Sequence, residues 1–354
     1  MYRTDPAIAT HHPPLRPAVR SRCWVGWLLA VGLGFGLTAC GQQGRLSEED
    51  RKILSQLRHN GIAFDDKTAK REDDALVIDQ VTIIGSNGSK VHARRLLIRR
   101  YDTAHPSPYF VDMTVEGAAI PLPDVPLPRV QPQHSSAAVE PQKDPPAASL
   151  ATNPAFADVL ENGALPVDSG LRYRYDEKTR RFLLEDFSIH SAKLFGLQLQ
   201  LAMSDFDPIF FQQSKGMDLL DPTAMLSKAA ANSKLESAAV TYTDHSLIDR
   251  VLRLLGEQQH TTPQVIRDSF KGALGVAIMS NMSNQSQGGG FMGEALMALS
   301  SFLERPGTLR LAVHPSEPVR MGTLQSQGEH WKHDPMALME ALGVTLEALP
   351  PPSS

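Results

Sequence analysis

The apolar residues of this chain change period once. Before Asp221 they recur every second residue in short runs, and after it they recur at about 3.6 residues. Strands first and helices later, joined by hairpin turns instead of regular strand-helix-strand alternation, predict an α+β fold. The expected architecture is an antiparallel β-meander with two similar hairpin units, followed by a mainly helical C-terminal part.

In the first half, Ser47-Glu-Glu-Asp50 has the form of a capping box opening a short helix with Ile53, Leu54 and Leu57 on one stripe. Strands are expected over residues 61–64, 75–84, 91–100 and 109–118, with Asn87-Gly88 as a hairpin turn and Asp79-Gln80 as a bulge. The grammar then repeats. Gly61 to Thr68 followed by Leu76 to Ile83 parallels Gly170 to Thr179 followed by Phe182 to Ile189: strand, acidic turn ending in Lys-Thr, strand. Each copy runs on into a further strand, Val91 to Arg100 or Leu197 to Ser204. Between the copies, seven prolines from Pro123 to Pro146 remove backbone donors and exclude helix and central strand, so residues 121–153 are expected to be a linker.

In the second half, Asp221-Pro222 is a helix start, and a strand is expected over residues 235–242. Helices through Leu247 to Leu255, Val265 to Ile278 and Phe291 to Glu304 follow, with a polar loop over residues 281–290. A strand over residues 308–313, a short helix from Pro335 to Leu342 and a strand over residues 343–348 close the chain. The expected organisation is therefore a first meander within residues 40–120, a second over 154–215, a helix-rich part over 216–349 with one to three strands, and a tail over 350–354.

The amino terminus is expected to leave before folding. Arg3, Arg16, Arg20 and Arg22 precede a charge-free apolar run, Cys23 to Thr38. At about 1.5 Å per residue that run reaches roughly 24 Å, short of the roughly 30 Å hydrocarbon core. It ends in Leu37-Thr38-Ala39-Cys40, which resembles the lipobox of bacterial lipoproteins. The resemblance implies a signal peptide over residues 1–39, cleavage between Ala39 and Cys40, and acylation of Cys40. In the family's sorting rule an aspartate after the cysteine retains the protein in the inner membrane; here Gly41 and Gln42 follow, which implies a periplasm-facing location on the outer membrane.

Composition narrows the rest. Cys23 leaves with the signal and Cys40 is consumed by lipid, so no thiol remains for a disulfide, a nucleophile or a metal. Loss of four arginines and Asp5 takes the formal charge from −4 to −7, which argues against nucleic acid. The expected partners are the lipid bilayer through acylated Cys40 and an envelope protein or apolar ligand.

Catalytic chemistry finds little support. Glu329, His330, His333 and Asp334 gather metal-ligand types, but Pro335 forces Asp334 out of helix, so a solvated loop is expected. Asp244, His245, Ser246 and Asp249 have the residue types of a triad, yet chain neighbours seldom converge. Asp244 is expected to cap a helix, with His245 and Ser246 in its first turn and Asp249-Arg250 on an exposed face. The arginine pairs Arg94-Arg95 and Arg99-Arg100 are expected to place one residue on each side of a strand and to discourage sheet stacking. Met279, Met282, Met292, Met297, Met321, Met336 and Met339 crowd the last third, as core filler or as the lining of an adaptable apolar site.

No catalytic, cofactor or metal residue is assigned. The expected function is that of a non-enzymatic envelope lipoprotein acting as a binding or structural module. The alternatives are a carrier of lipid or another apolar ligand, and a hydrolase drawing on His190, His245 or His260.

Overall fold

The computed structural model describes residues 46–84, 89–105, 108–121, 154–207, 232–284, 291–327 and 335–350. Helix α1 (Glu48–His59) opens on the expected capping box: Asp50 N–H donates to Ser47 Oγ at 3.0 Å, and Ser47 N–H donates to Asp50 Oδ2 at 3.0 Å. Strands β1 (Ile62–Ala63), β2 (Ala69–Glu72), β3 (Ala75–Ile84), β4 (Lys90–Tyr101) and β5 (Phe110–Pro121) follow. A 3-10 turn at Pro154–Phe156 leads to β6 (Ala164–Asp176), β7 (Arg181–Ser191), β8 (Phe195–Ser204) and β9 (Lys234–Asp244). Helices α2 (Leu247–Gln258), α3 (Pro263–Asn284) and α4 (Phe291–Glu304) precede β10 (Thr308–Val313) and β11 (Val319–Arg320). Then come α5 (Met321–Ser326), α6 (Pro335–Ala341) and β12 (Val344–Leu349).

The strands form one antiparallel sheet in the order β1-β3-β4-β5-β6-β7-β8-β9-β10-β12, with β2 beside β3 and β11 beside β9. This is α+β, with helices mostly toward the carboxy terminus. β5 and β6 pair directly, from Phe110 opposite Arg174 to Pro121 opposite Ala164, so both meanders lie in the same sheet. Among the described residues four strands fall in the helix-rich part; the one beyond the expected three is the two-residue β11. Helix α3 runs six residues past Ile278, where no proline or glycine stops it. The turn at residues 85–88, the linker over 122–153 and the helix start at Asp221 lie outside the described residues.

One sheet face is covered and the other is solvated. Ile53, Leu54 and Leu57 of α1, Phe156 of the 3-10 turn and Leu254 of α2 join a core with Leu76, Ile78, Leu96, Ile98, Met113 and Leu171. Alternation slips phase partway along the strands: Ile78 and Val81, Leu96 and Ala93, and Val115 and Ala118 are all buried at a spacing of three. Gln80 (φ 56°) and Gly117 (φ 62°) take left-handed backbone at the slip; the register of β3 on β4 does not shift across Asp79-Gln80, so the expected bulge is a local backbone irregularity without an extra residue.

The slips correct the expectation for the arginines. Ala93 and Leu96 both face the core, as do Ile98 and Tyr101, so both intervening pairs fall on the solvated side. There Arg95 pairs with Asp79 at 3.2 Å, Arg99 with Asp112 at 3.7 Å, and Arg100 covers the Phe110 ring at 5.2 Å. Lys70, Glu72, Arg172, Arg174 and Glu185 extend the ladder. Exposed pairs stabilise little individually; collectively they keep a second sheet from stacking here.

Candidate binding face

The covered face carries an unusual gap. At one end, Ile189, Leu197, Tyr242, Leu309 and Ala348 stand in register across β7, β8, β9, β10 and β12. Phe302 of α4 closes on this row, its ring 5.9 Å from Tyr242, and Phe195 stacks on Tyr242 at 6.4 Å. Burial and the Asp244 carboxylate beside its hydroxyl push the Tyr242 phenol well up. At the other end a separate cluster forms from Tyr175, Phe182, Met203 and Phe206, with Met321 packed against it. The Phe182 and Phe206 rings stack at 4.9 Å.

Between these two closed ends run two rows with no polar side chain. One is Leu184, Leu201, Ala238, Val313 and Val344, and the other is Phe187, Leu199, Val240, Leu311 and Leu346. Val240 is 36% exposed and Leu311 38%, although both belong to interior strands of the sheet. Five strands at about 4.8 Å spacing make the band roughly 19 Å long. That is comparable with the roughly 15 Å spanned by the acyl chains of one leaflet. A floor of this kind offers area and no hydrogen bonds, so it selects extended apolar chains by the water they displace. The enclosed void among Ile62, Ile83, Leu96, Met113 and Val115 is only about 20 Å³, the size of one water.

A second polar constellation sits in the β4–β5 loop, and nothing in the sequence patterns above pointed to it. Asp102, 4% exposed, accepts from Ala104 N–H at 2.9 Å and Tyr109 N–H at 2.8 Å, and bonds His105 Nδ1 at 2.7 Å. The His105 ring stacks on Tyr109 at 3.8 Å. Burial alone would raise the Asp102 carboxyl, but these hydrogen bonds outweigh it and hold the group below the usual carboxylate range. The neighbouring Tyr101 phenol is pushed up to about 12 by burial and by the Asp102 charge. An imidazole oriented by a carboxylate is half of an acid–base device. Here both carboxylate oxygens are engaged by loop N–H groups, and the arrangement closes a hairpin.

The residues singled out earlier disperse. Ala39, Cys40, Glu329, His330, His333 and Asp334 lie outside the described residues. His190 and His245 do meet, their rings 5.4 Å apart and near perpendicular. Asp168 stands opposite His190 in register, and Thr243 lies across Gly196. This row occupies the open, solvated face, and Asp168 Oδ1 accepts from Gly117 N–H at 2.7 Å. His260 follows the far end of α2, about 18 Å of helix away.

Asp244 accepts from Ile248 N–H at 3.0 Å in the first turn of α2, but the helix begins at Leu247 with Ser246 as its N-cap, so His245 and Ser246 precede the first turn in which they were expected. Ser246 Oγ donates to Lys193 O at 2.6 Å. Arg250, expected on an exposed face, is instead largely covered. It forks onto Asp158 at 2.6 and 2.9 Å and also reaches Ala155 O, pinning α2 to the start of the second meander. Asp249 pairs with Arg267 of α3. Of the methionines, Met321 packs against the aromatic cluster, while Met279 and Met297 are exposed at 73% and 61%.

Among the described residues no group of three or more His, Cys, Asp and Glu is placed to hold a metal ion, and no helix is long and apolar enough to cross a membrane. Residues 188–349 match a family whose description is "Uncharacterized protein". No curated protein matches the chain.

Proposed function

We propose that the chain is a non-enzymatic lipoprotein of the cell envelope, anchored at the periplasmic side of the outer membrane through acylated Cys40, whose body binds an apolar chain along the open band. The observation that carries this is the opposed pair Val240 and Leu311, each more than a third exposed at the centre of two polar-free rows. The tether supports it as well. Seven residue steps separate Cys40 from the Ser47 cap, at most about 25 Å of chain, so the anchor would hold the body close to lipid.

The two hairpin units are read as a duplication. The core positions Leu76, Ile78, Val81 and Ile83 of β3 have the same spacing as Phe182, Leu184, Phe187 and Ile189 of β7, and both sets face the covered side. Each strand slips phase at the same place, Asp79-Gln80 or Glu185-Asp186. In this reading the first copy was closed by α1, and the second is closed less completely, its residues Leu184, Phe187 and Ile189 staying partly buried.

Native mass spectrometry of the protein extracted from its own membranes tests the function. A non-covalent adduct of lipid mass, beyond the covalent acyl groups, is the expected result. Chain without any such adduct, or with a protein partner in its place, would overturn the apolar-chain reading.

A further inference from the structure

One end of the solvated face departs from the ion-pair ladder beside it. Along β4, Lys90, His92 and Arg94 alternate on that face, and the side chains across from them carry no charge. Ile84 and Thr82 of β3 stand opposite Lys90 and His92, and Ala119 of β5 stands opposite His92. The flanking pairs, Asp79 with Arg95 and Val81 with Ala93 on one side, His92 with Ala119 and Arg95 with Glu116 on the other, set Gln80 and Gly117 on either side of Arg94. Further along β4, Arg95 is met by Asp79 and Glu116, and Arg99 by Asp112. Among the described residues Lys90 and Arg94 have no carboxylate at ion-pair distance.

A cleft of about 450 Å³ opens at this place, lined by Gln80, Thr82, His92 and Arg94 and, where β5 has almost no side chain, by Gly117 and Ala119. Gly117 makes room for the guanidinium: a Cβ there would lie 3.1 Å from Arg94 Cβ and 3.6 Å from its Cζ. His92 Nδ1 is in hydrogen-bond contact with Thr82 Oγ1 at 2.9 Å, which leaves Nε2 for another partner. Asp168 of β6 is engaged by Gly117 N–H at 2.7 Å and is not part of the lining.

We propose that this cleft binds a phosphate group, carried by a soluble phosphate ester or by a phospholipid head. A basic stripe that faces uncharged neighbours, next to a ladder in which cations are matched across strands, is charge without its counterion. Arg94 offers a planar fork of donors, and the imidazole, amide and hydroxyl around it add donors from other directions, which suits a tetrahedral oxyanion. The volume is that of a small-molecule site. The cleft lies on the face opposite the open band, so it stands apart from the apolar-chain reading.

Titration of the purified full chain with sn-glycerol 3-phosphate and with monomeric dihexanoyl-phosphatidylglycerol tests this, glycerol serving as the uncharged control. The expected result is saturable binding of a phosphate ligand that Arg94→Gln weakens at least about tenfold, that Arg99→Gln leaves unchanged and that glycerol does not reproduce. Binding of glycerol 3-phosphate supports a soluble ester, and Arg94-dependent binding of the phospholipid alone supports a lipid head. Arg94 is exposed, so its variants should melt with the parent, and Arg94→Lys, which keeps the charge without the fork, should bind between parent and Arg94→Gln. Neither ligand binding up to about 10 mM, or equal affinity in parent and Arg94→Gln, would overturn the proposal.

Discussion

Val240 and Leu311 are directly opposed on β9 and β10, and each stands more than a third open on a face that is closed at both ends. Apolar pairs at the centre of a sheet ordinarily disappear under a helix. Here α4 reaches Tyr242, one alternation further along β9, and leaves Val240 and Leu311 partly open.

Substitution should therefore separate binding from stability. Val240→Lys or Leu311→Lys replaces a half-open side chain whose ammonium can reach water, so urea unfolding should register a loss of about 1 kcal/mol or less while apolar ligand is lost. Leu96→Ala, in the closed core at 1% exposure, should cost about 2–5 kcal/mol and leave ligand affinity per folded molecule unchanged. Equal stability losses at the two sites would mean the band is ordinary core.

Gly343 holds the approach to β12. Its φ is +55°, and a Cβ there would sit 2.2 Å from His314 O. Gly163 also has positive φ, +77°, but nothing within 4 Å of its Cβ position. Gly163→Ala should cost about 1 kcal/mol from backbone strain alone. Gly343→Ala must displace a backbone carbonyl as well and should cost clearly more, read as a lower melting temperature and faster amide exchange along β10 and β12. Similar melting temperatures for the two variants would contradict the close approach.

Acid should loosen the β4–β5 loop through Asp102. Its folded carboxyl is held below the ordinary value near 3.9, so it stabilises the fold above that value and the contribution disappears as pH falls through the lowered one. Asp102→Asn removes the titration. The variant should unfold at lower urea than the parent at pH 7, with the gap narrowing toward about pH 3. A gap that stays constant or widens on acidification would contradict the assignment.

Much of the architecture was legible because it is written in local chemistry. The capping box at Ser47 and Asp50 and the strand at Thr308–Val313 each depend on a few adjacent residues. Strand β2 escaped because Ala-Lys-Arg-Glu has no apolar alternation; it lies on the sheet edge and is held by Lys70 and Glu72 in the ion-pair ladder. Arg250 looked exposed because its partner Asp158 lies 92 residues away. The open band was illegible for the same reason. Each of its residues looks like ordinary core along its own strand, and only the register of five strands shows that Val240 and Leu311 meet at its centre and stay partly open.

The most direct measurement of the central claim is protection of a thiol placed in that band. Val240→Cys, in a mature chain whose Cys40 is acylated, should react with a water-soluble maleimide about tenfold more slowly once a fatty-acyl ligand is added. Thr241→Cys, its neighbour on the solvated face, should react at an unchanged rate. Equal rates at residue 240 with and without the ligand would contradict the claim that this face binds an apolar chain.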